Sequence, residues 1–288
     1  MIHDDENKAM PGRSEIERYR RDGVVHLRDA FDVEWLELLR RGIGKNLKNP
    51  SPRFEARTTA ASAARYCEDF WVWSMFTEFE TFVRDSPAAR MAAGLMGARH
   101  VNLVMDNWFL REPGAQAHAP WHHDISYFDF DGSMCVLWLP LQPSRQGEGI
   151  QFVRGSHLWN RLFMRVLFDG HRPAADASIV NGELYEDPPE IDGNEDRYDI
   201  LSYDLEPGDC LFFDIRTLHG SRSAAVPETL QSRYTLRLAT QDARIKYRGE
   251  WALQERRIFE EFGHRNGDEL NSEFFPELWN ATSGTLGP

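Results

Sequence analysis

The chain has 288 residues and a formal charge of −13, from 33 Lys and Arg against 46 Asp and Glu, with 41% apolar and 27% charged residues. That is a globular composition, and an acidic balance without any Lys/Arg block repels phosphate backbones, so nucleic acid is not an expected partner. The longest apolar run, Met134 to Leu141, contains Pro140 and falls far short of the ~20 residues that span a bilayer, so no membrane segment is expected either.

The acidic start Met1-Ile2-His3-Asp4-Asp5-Glu6 lacks the basic and apolar regions of a secretory signal, and residues 1–14 read as a frayed tail ahead of a single domain over 15–288. Ser14, three residues before Glu17, predicts a helix start by the capping-box rule. Gly23 stops that helix and Val24–Leu27 reads as a strand. Trp35, Leu36, Leu38, Leu39 and Ile43 recur at helical spacing over 33–43, and Phe70, Trp71, Trp73, Phe76, Phe79, Phe82 and Val83 extend the helical reading over 68–97. After Gly97 the period drops to two. Strands are predicted at 101–105, 135–139, 150–153, 210–213 and 234–238, separated by Pro-Gly turns. Helices first and strands afterwards give an α+β chain with a mainly β core, a sandwich or barrel with N-terminal and peripheral helices. Between Asp169 and Asp199, ten acidic residues stand against Arg172 and Arg197, broken by Pro173, Pro188 and Pro189. That insertion reads as a lid or a disordered loop. A peripheral helix is expected over 249–262. Cys67, Cys135 and Cys210 are widely spaced without a CxxC pair, which suits buried thiols in a reducing, cytoplasmic compartment.

The most informative patch is Trp121-His122-His123-Asp124. On an extended strand residues i and i+2 share a face, so His122 and Asp124 can present an imidazole nitrogen and a carboxylate oxygen side by side. A third ligand must come from another strand, and His219 in Leu218-His219-Gly220-Ser221 follows the predicted strand at 210–213. Two His and one carboxylate on one face of an octahedral ion leave three positions open, the arrangement of non-haem Fe(II) oxygenases. By the same alternation His123 points away from such a site.

These motifs, in order with Tyr19-Arg20-Arg21-Asp22-Gly23, Arg111-Glu112-Pro113-Gly114, Trp138-Leu139-Pro140-Leu141, Val153-Arg154-Gly155-Ser156-His157 and Pro207-Gly208-Asp209, resemble the phytanoyl-CoA dioxygenase family of Fe(II)/2-oxoglutarate-dependent oxygenases. The resemblance covers most of the chain. It implies a double-stranded β-helix (a jelly roll, cupin-like), with Fe(II) held by His122, Asp124 and His219 and with 2-oxoglutarate and O2 as co-substrates giving succinate and CO2. It also implies an Arg on the strand after His219 that binds the distal carboxylate of 2-oxoglutarate, since a guanidinium fork matches a carboxylate. Alignment puts that position nearest Gln231. Because 231, 233 and 237 share a strand face, Arg233 is the first candidate and Arg237 the second. Ser221 and Trp138 fall where the family contacts 2-oxoglutarate. Retention of Asp124, which related halogenases replace by a small residue, implies hydroxylation.

Asn107, Arg111, His118 and Tyr127 are the substrate-pocket candidates, and His157 is expected to be structural. So acidic a chain, with few basic residues near the site, suits a smaller neutral or mono-anionic metabolite better than a CoA thioester. The rival reading is a non-catalytic jelly-roll binding protein with a degenerate metal site. The departure at Gln231 keeps that reading open, and the cost of burying three polar groups without a metal weighs against it.

Overall fold

In the strand Gln231–Thr240, Tyr234, Leu236 and Leu238 enter an apolar layer while Arg233, Thr235 and Arg237 face the opposite way into a cavity. This polarity, apolar toward the helices and polar toward the cavity, marks that one strand of the computed structural model, which describes residues 10–166, 179–221, 226–282 and 285–286. Gln231–Thr240 lies between Met134–Pro140 and His100–Arg111 in an antiparallel sheet, nine-stranded among the described residues, in which Cys210–Asp214 and Val24–Leu27 continue one side. Ser62–Phe70 and Glu277–Asn280 both pair with His100–Arg111, and Glu55–Thr59 extends the edge. A smaller sheet of Ile200–Leu201, Ile150–Val153 and His219–Ser221 faces it. Val136, Trp138, Phe152, Leu211 and Phe213 fill part of the space between the two sheets. This is the jelly roll that the motifs imply.

Four helices cover the outer face of the large sheet: Arg13–Asp22, Val33–Asn46, Thr77–Asp85 and Ala88–Met96. Trp35, Leu36, Leu39, Ile43, Phe79 and Phe82 meet Cys135, Leu137, Leu139, Cys210 and Phe212 there. The run Met134–Pro140 is therefore buried on both faces, which is why it reads as continuous apolar sequence rather than as alternation. Phe212 is fully buried in this layer; truncating such a ring costs about 3–5 kcal/mol. Burial also pushes the thiols of Cys135 and Cys210 well up from the ordinary range, and that of Cys67 up.

The motifs outside the site act as joints. Gly23, in the left-handed region at φ 80°, closes the first helix onto Tyr19 O at 2.9 Å, and a Cβ there would strike His157 and Thr217. Asp209 accepts from Asp29 N (2.9 Å) and pairs with His26 Nε2 (2.9 Å), tying the N-terminal strand to the sheet. Ser156 Oγ donates to Val153 O and accepts from Leu218 N, both at 2.8 Å, beside His219. His157 Nε2 stands 3.1 Å from Arg20 O, a structural contact.

Several local expectations are corrected. Residues 68–70 end a strand, and the aromatics after them run through a turn at Trp73–Met75 before the helices at Thr77–Asp85 and Ala88–Met96. Aromatic spacing imitated one long helix across that bend. The first helix begins at Arg13 rather than Ser14, because Glu15, not Glu17, takes the Gly12 N–H (2.5 Å), while Glu17 pairs with Arg13. The last helix is limited to Leu253–Glu261, after a turn at Glu250–Ala252. Of the acidic insertion, 169–178 lie outside the described residues. Further on, Glu183–Glu186 forms a hairpin with Ile179–Val180 and pairs with Leu162–Phe163. Glu183 is bound by Lys246 and by Arg248 (2.9 Å), and Glu186 by Arg161 (2.7 Å). No helix among the described residues is long and apolar enough to cross a membrane.

Candidate metal centre and adjoining cavity

His122 and His219 are joined by an isolated antiparallel bridge rather than by continuous strands. Asp124 does not extend the His122 strand as expected. It opens a short turn, Asp124–Ser126, where Ile125 N bonds Ile215 O and Tyr127 N bonds Asp124 O. Extended backbone at His123 between bridge and turn still delivers the carboxylate to the side of the imidazoles. Asp124 Oδ1 lies 3.3 Å from His122 Nε2 and 3.6 Å from His219 Nε2, and the three candidate ligand atoms fall within 4.8 Å of one another.

The donor set suits a first-row divalent ion. Each of these imidazoles has its Nδ1 against a carbonyl oxygen, Pro120 O at 2.7 Å for His122 and Thr217 O at 2.9 Å for His219. A carbonyl only accepts, so Nδ1 carries the proton and both Nε2 lone pairs turn toward Asp124. Cis donors with metal bonds of about 2.1 Å stand about 3 Å apart, close to the separations found. Burial drives the His219 imidazole down to about 3, helped by His122, so it stays neutral and able to ligate. Burial alone would raise the Asp124 carboxyl, but Arg237, with His122 and His219, outweighs it and holds the group well below the usual carboxylate range.

His123 points away, as expected. Its Nε2 accepts from Phe163 N (3.0 Å) and contacts Ser126 Oγ (2.6 Å), and burial followed by the charge of His122 pushes it down to about 3.

The three residues line one end of a cavity of about 610 Å³, within the range of small-molecule sites. Arg233 lies in the same cavity, in a box of aromatic rings. Its Cζ is 4.5 Å from the Phe109 ring centre, 5.5 Å from Tyr66 and 5.8 Å from Trp138, and Nη2 donates to Tyr66 Oη at 2.5 Å. Ring faces attract a guanidinium without using its edge donors, of which Tyr66 Oη engages Nη2. Arg111 also lines the cavity. Burial and then Arg233 push it down to about 10, and its Nη2 donates to Ala115 O at 2.9 Å. Trp138 and Ser221 line the wall, with Ser221 Oγ accepting from Ala119 N (3.0 Å).

Arg237 reaches the metal end instead: Nε donates to Asp124 Oδ2 at 2.9 Å, and Nη2 forms an ion pair with the same oxygen at 2.7 Å. Asn107 stands behind it, accepting from Nη1 at 3.2 Å, and is not part of the cavity lining. Nor are His118 and Tyr127. Tyr127 packs its ring 5.1 Å from that of His122 and donates to Val166 O at 2.5 Å, and the His118 ring stands near Gln116 O. Tyr66 and Phe109 were missed in the sequence. The signal was there in Tyr66, Glu68 and Phe70 at period two, masked by the aromatics that follow.

The profile of the family described as Phytanoyl-CoA dioxygenase (PhyH) matches residues 19–225. The chain belongs to the phytanoyl-CoA dioxygenase family. Membership places it among the Fe(II)/2-oxoglutarate-dependent oxygenases. No curated protein matches the chain. Among solved structures, this family member is similar to SnoK, a non-haem α-ketoglutarate-dependent carbocyclase of nogalamycin biosynthesis, with a TM-score of 0.70, 17% identity and coverage of 93% of this chain and 96% of that one. The epimerase SnoN, crystallised with Fe3+, α-ketoglutarate and nogalamycin RO, gives 0.70 at 19% identity, covering 92% and 97%. EctD from S. alaskensis with bound Fe gives 0.61 at 17%, covering 83% and 80%. At such identities the likeness shows the fold, which this phytanoyl-CoA dioxygenase family chain shares with all three.

Proposed function

We propose that residues 15–288 act as one catalytic domain that hydroxylates a small organic metabolite, with His122, Asp124 and His219 holding Fe(II) and Arg233 anchoring 2-oxoglutarate. The observation that carries this reading is the convergence of the three ligand atoms on a cavity that also contains an aromatic-boxed guanidinium. Fe(II), bound with 2-oxoglutarate and O2, supplies the oxidising power for C–H cleavage, with release of succinate and CO2.

The protein's share is binding, orientation and exclusion of water. The Pro120 and Thr217 carbonyls fix the imidazole tautomers. The Arg233 fork receives the distal carboxylate, while Phe109, Tyr66 and Trp138 hold the guanidinium in place. Trp138 and Ser221 flank the co-substrate. Arg111 and Arg145 line the same cavity as Arg233, beside Glu148 and Glu228, and this mixed charge supports a neutral or mono-anionic substrate in company with a dianionic co-substrate.

Anaerobic titration of the metal-free protein with Fe(II), then 2-oxoglutarate, tests the first half of the proposal. Chelation gives a visible charge-transfer band, and Fe(II) uptake without the band would refute the co-substrate assignment. The second half is read in products: succinate formation coupled to gain of one oxygen atom by a metabolite supports hydroxylation. SnoK and SnoN are titled a carbocyclase and an epimerase, so coupled turnover without oxygen gain would instead assign that kind of outcome.

A further inference from the structure

Asp124 turns its two oxygens to different partners. Oδ1 faces the imidazoles at 3.3 and 3.6 Å, while Oδ2 accepts from Nε of Arg237 at 2.9 Å and lies 2.7 Å from its Nη2 as an ion pair. Arg237 is itself braced: Nη1 donates to Asn107 Oδ1 (3.2 Å), the same oxygen accepts from Thr235 Oγ1, and Cζ stands 5.5 Å from the Phe128 ring centre. Arg237 and Asp124 are both buried, and the strands that carry Arg237 and Asn107 are paired along most of their length.

A carboxylate free to rotate can bind an ion through one oxygen or through both. The difference matters here. With two imidazoles, one-oxygen binding leaves three of six octahedral positions, two for the chelating co-substrate and one for O2, whereas two-oxygen binding leaves only two. We infer that Arg237 is a positioning residue which occupies Asp124 Oδ2, restricts Asp124 to one-oxygen ligation and so keeps the third position open. This rests on the reading that the triad holds Fe(II). It also removes Arg237 from the role of distal-carboxylate anchor, because its Nε–Nη2 edge is taken up by Asp124.

Oxalate separates the two roles, since it chelates a metal but has no distal carboxylate for an anchor to grip. Wild-type protein, Arg237→Met, Arg237→Lys and Arg233→Met are loaded with Fe(II) anaerobically, and the affinities for 2-oxoglutarate and oxalate are measured with the charge-transfer spectrum. In Arg237→Met, Fe(II) is still bound and the released Oδ2 competes for a position that a chelator uses, so both chelators weaken by the same factor of about tenfold or more, the size typical of a lost partner behind a metal ligand, and the band shifts. Arg237→Lys, which keeps one cationic donor for Oδ2, recovers part of both affinities. Arg233→Met weakens 2-oxoglutarate alone. Unchanged oxalate affinity in Arg237→Met overturns the inference, whether or not 2-oxoglutarate weakens. If Arg237→Met does not fold, Asn107→Ala, which removes the brace only, gives the same parallel loss on a smaller scale, and selective loss of 2-oxoglutarate or no loss in that variant overturns the inference. Failure of the wild type to take up Fe(II) defeats the iron reading and this inference together. Uptake with unaltered Arg237 variants defeats this inference alone.

Discussion

His122 and His219 exchange backbone hydrogen bonds in both directions, at 2.9 and 2.8 Å, and this single bridge sets their imidazole centres 4.2 Å apart. The spacing depends on Gly220, where a Cβ would meet the backbone of Trp121 at 3.1 Å and Pro120 O at 3.2 Å. Gly220→Ala must therefore push the Pro120–His122 segment outward by a few tenths of an ångström. The expected result is Fe(II) affinity about tenfold lower with the fold retained, read by metal titration beside circular dichroism. Wild-type affinity would show that the bridge tolerates the shift.

Replacing a proposed ligand is more severe than disturbing its support. His122→Ala and Asp124→Ala are expected to lower 2-oxoglutarate decarboxylation more than about a hundredfold, beyond what loss of an outer partner costs. Succinate release under saturating Fe(II) measures it. Turnover near wild type in either variant would remove that residue from the centre.

The aromatic box around Arg233 predicts a graded series. Arg233→Lys keeps the charge but loses the planar fork and its ring stacking, and KM for 2-oxoglutarate should rise about tenfold or more. Tyr66→Phe removes only the hydroxyl that accepts from Nη2, so a rise of about two- to tenfold is expected. Steady-state kinetics in 2-oxoglutarate check the order, and a larger effect from Tyr66→Phe would contradict it.

Acid should weaken the metal-free fold through His123. Burial, then the charge of His122, pushes its folded value down to about 3, against about 6.5 in the unfolded chain. Between these values the unfolded state binds the extra proton, so stability rises with pH and is lost as pH falls below about 6.5, by at most about 1.4 kcal/mol per pH unit. Urea unfolding at pH 7, 5.5 and 4.5 should show this slope in wild type and a shallower one in His123→Gln. Parallel slopes would assign the acid sensitivity elsewhere.

The alternation of Tyr234, Leu236 and Leu238 against Arg233, Thr235 and Arg237 made the central strand readable, and ordered motifs made the jelly roll readable around it. The candidate triad could be located because HxD and a later His-Gly are local patterns. Which arginine faces which partner could not, since that depends on the length of the connection between His219 and the next strand and on strand register. Alignment alone pointed to Gln231, whereas the structure sets Arg233 opposite Phe109 and Pro140 and Arg237 beside Asp124. Tyr66 was hidden for another reason. Its strand ends at Phe70 and the aromatic series continues through a turn into a helix, so a window spanning both carries the helix's period back over the strand.

The alternation of Met134–Pro140 and Cys210–Asp214 has one more consequence. Val136, Trp138 and Phe213 face the cavity, which puts Cys135 and Cys210 on the far side of the sheet, among the helices, with their thiols held protonated by burial. The thiolate, not the thiol, is the form that oxidants attack. The proposed O2-consuming chamber is thus walled off from these two cysteine sulfurs, and damage from uncoupled turnover should fall first on the aromatic rings that line it.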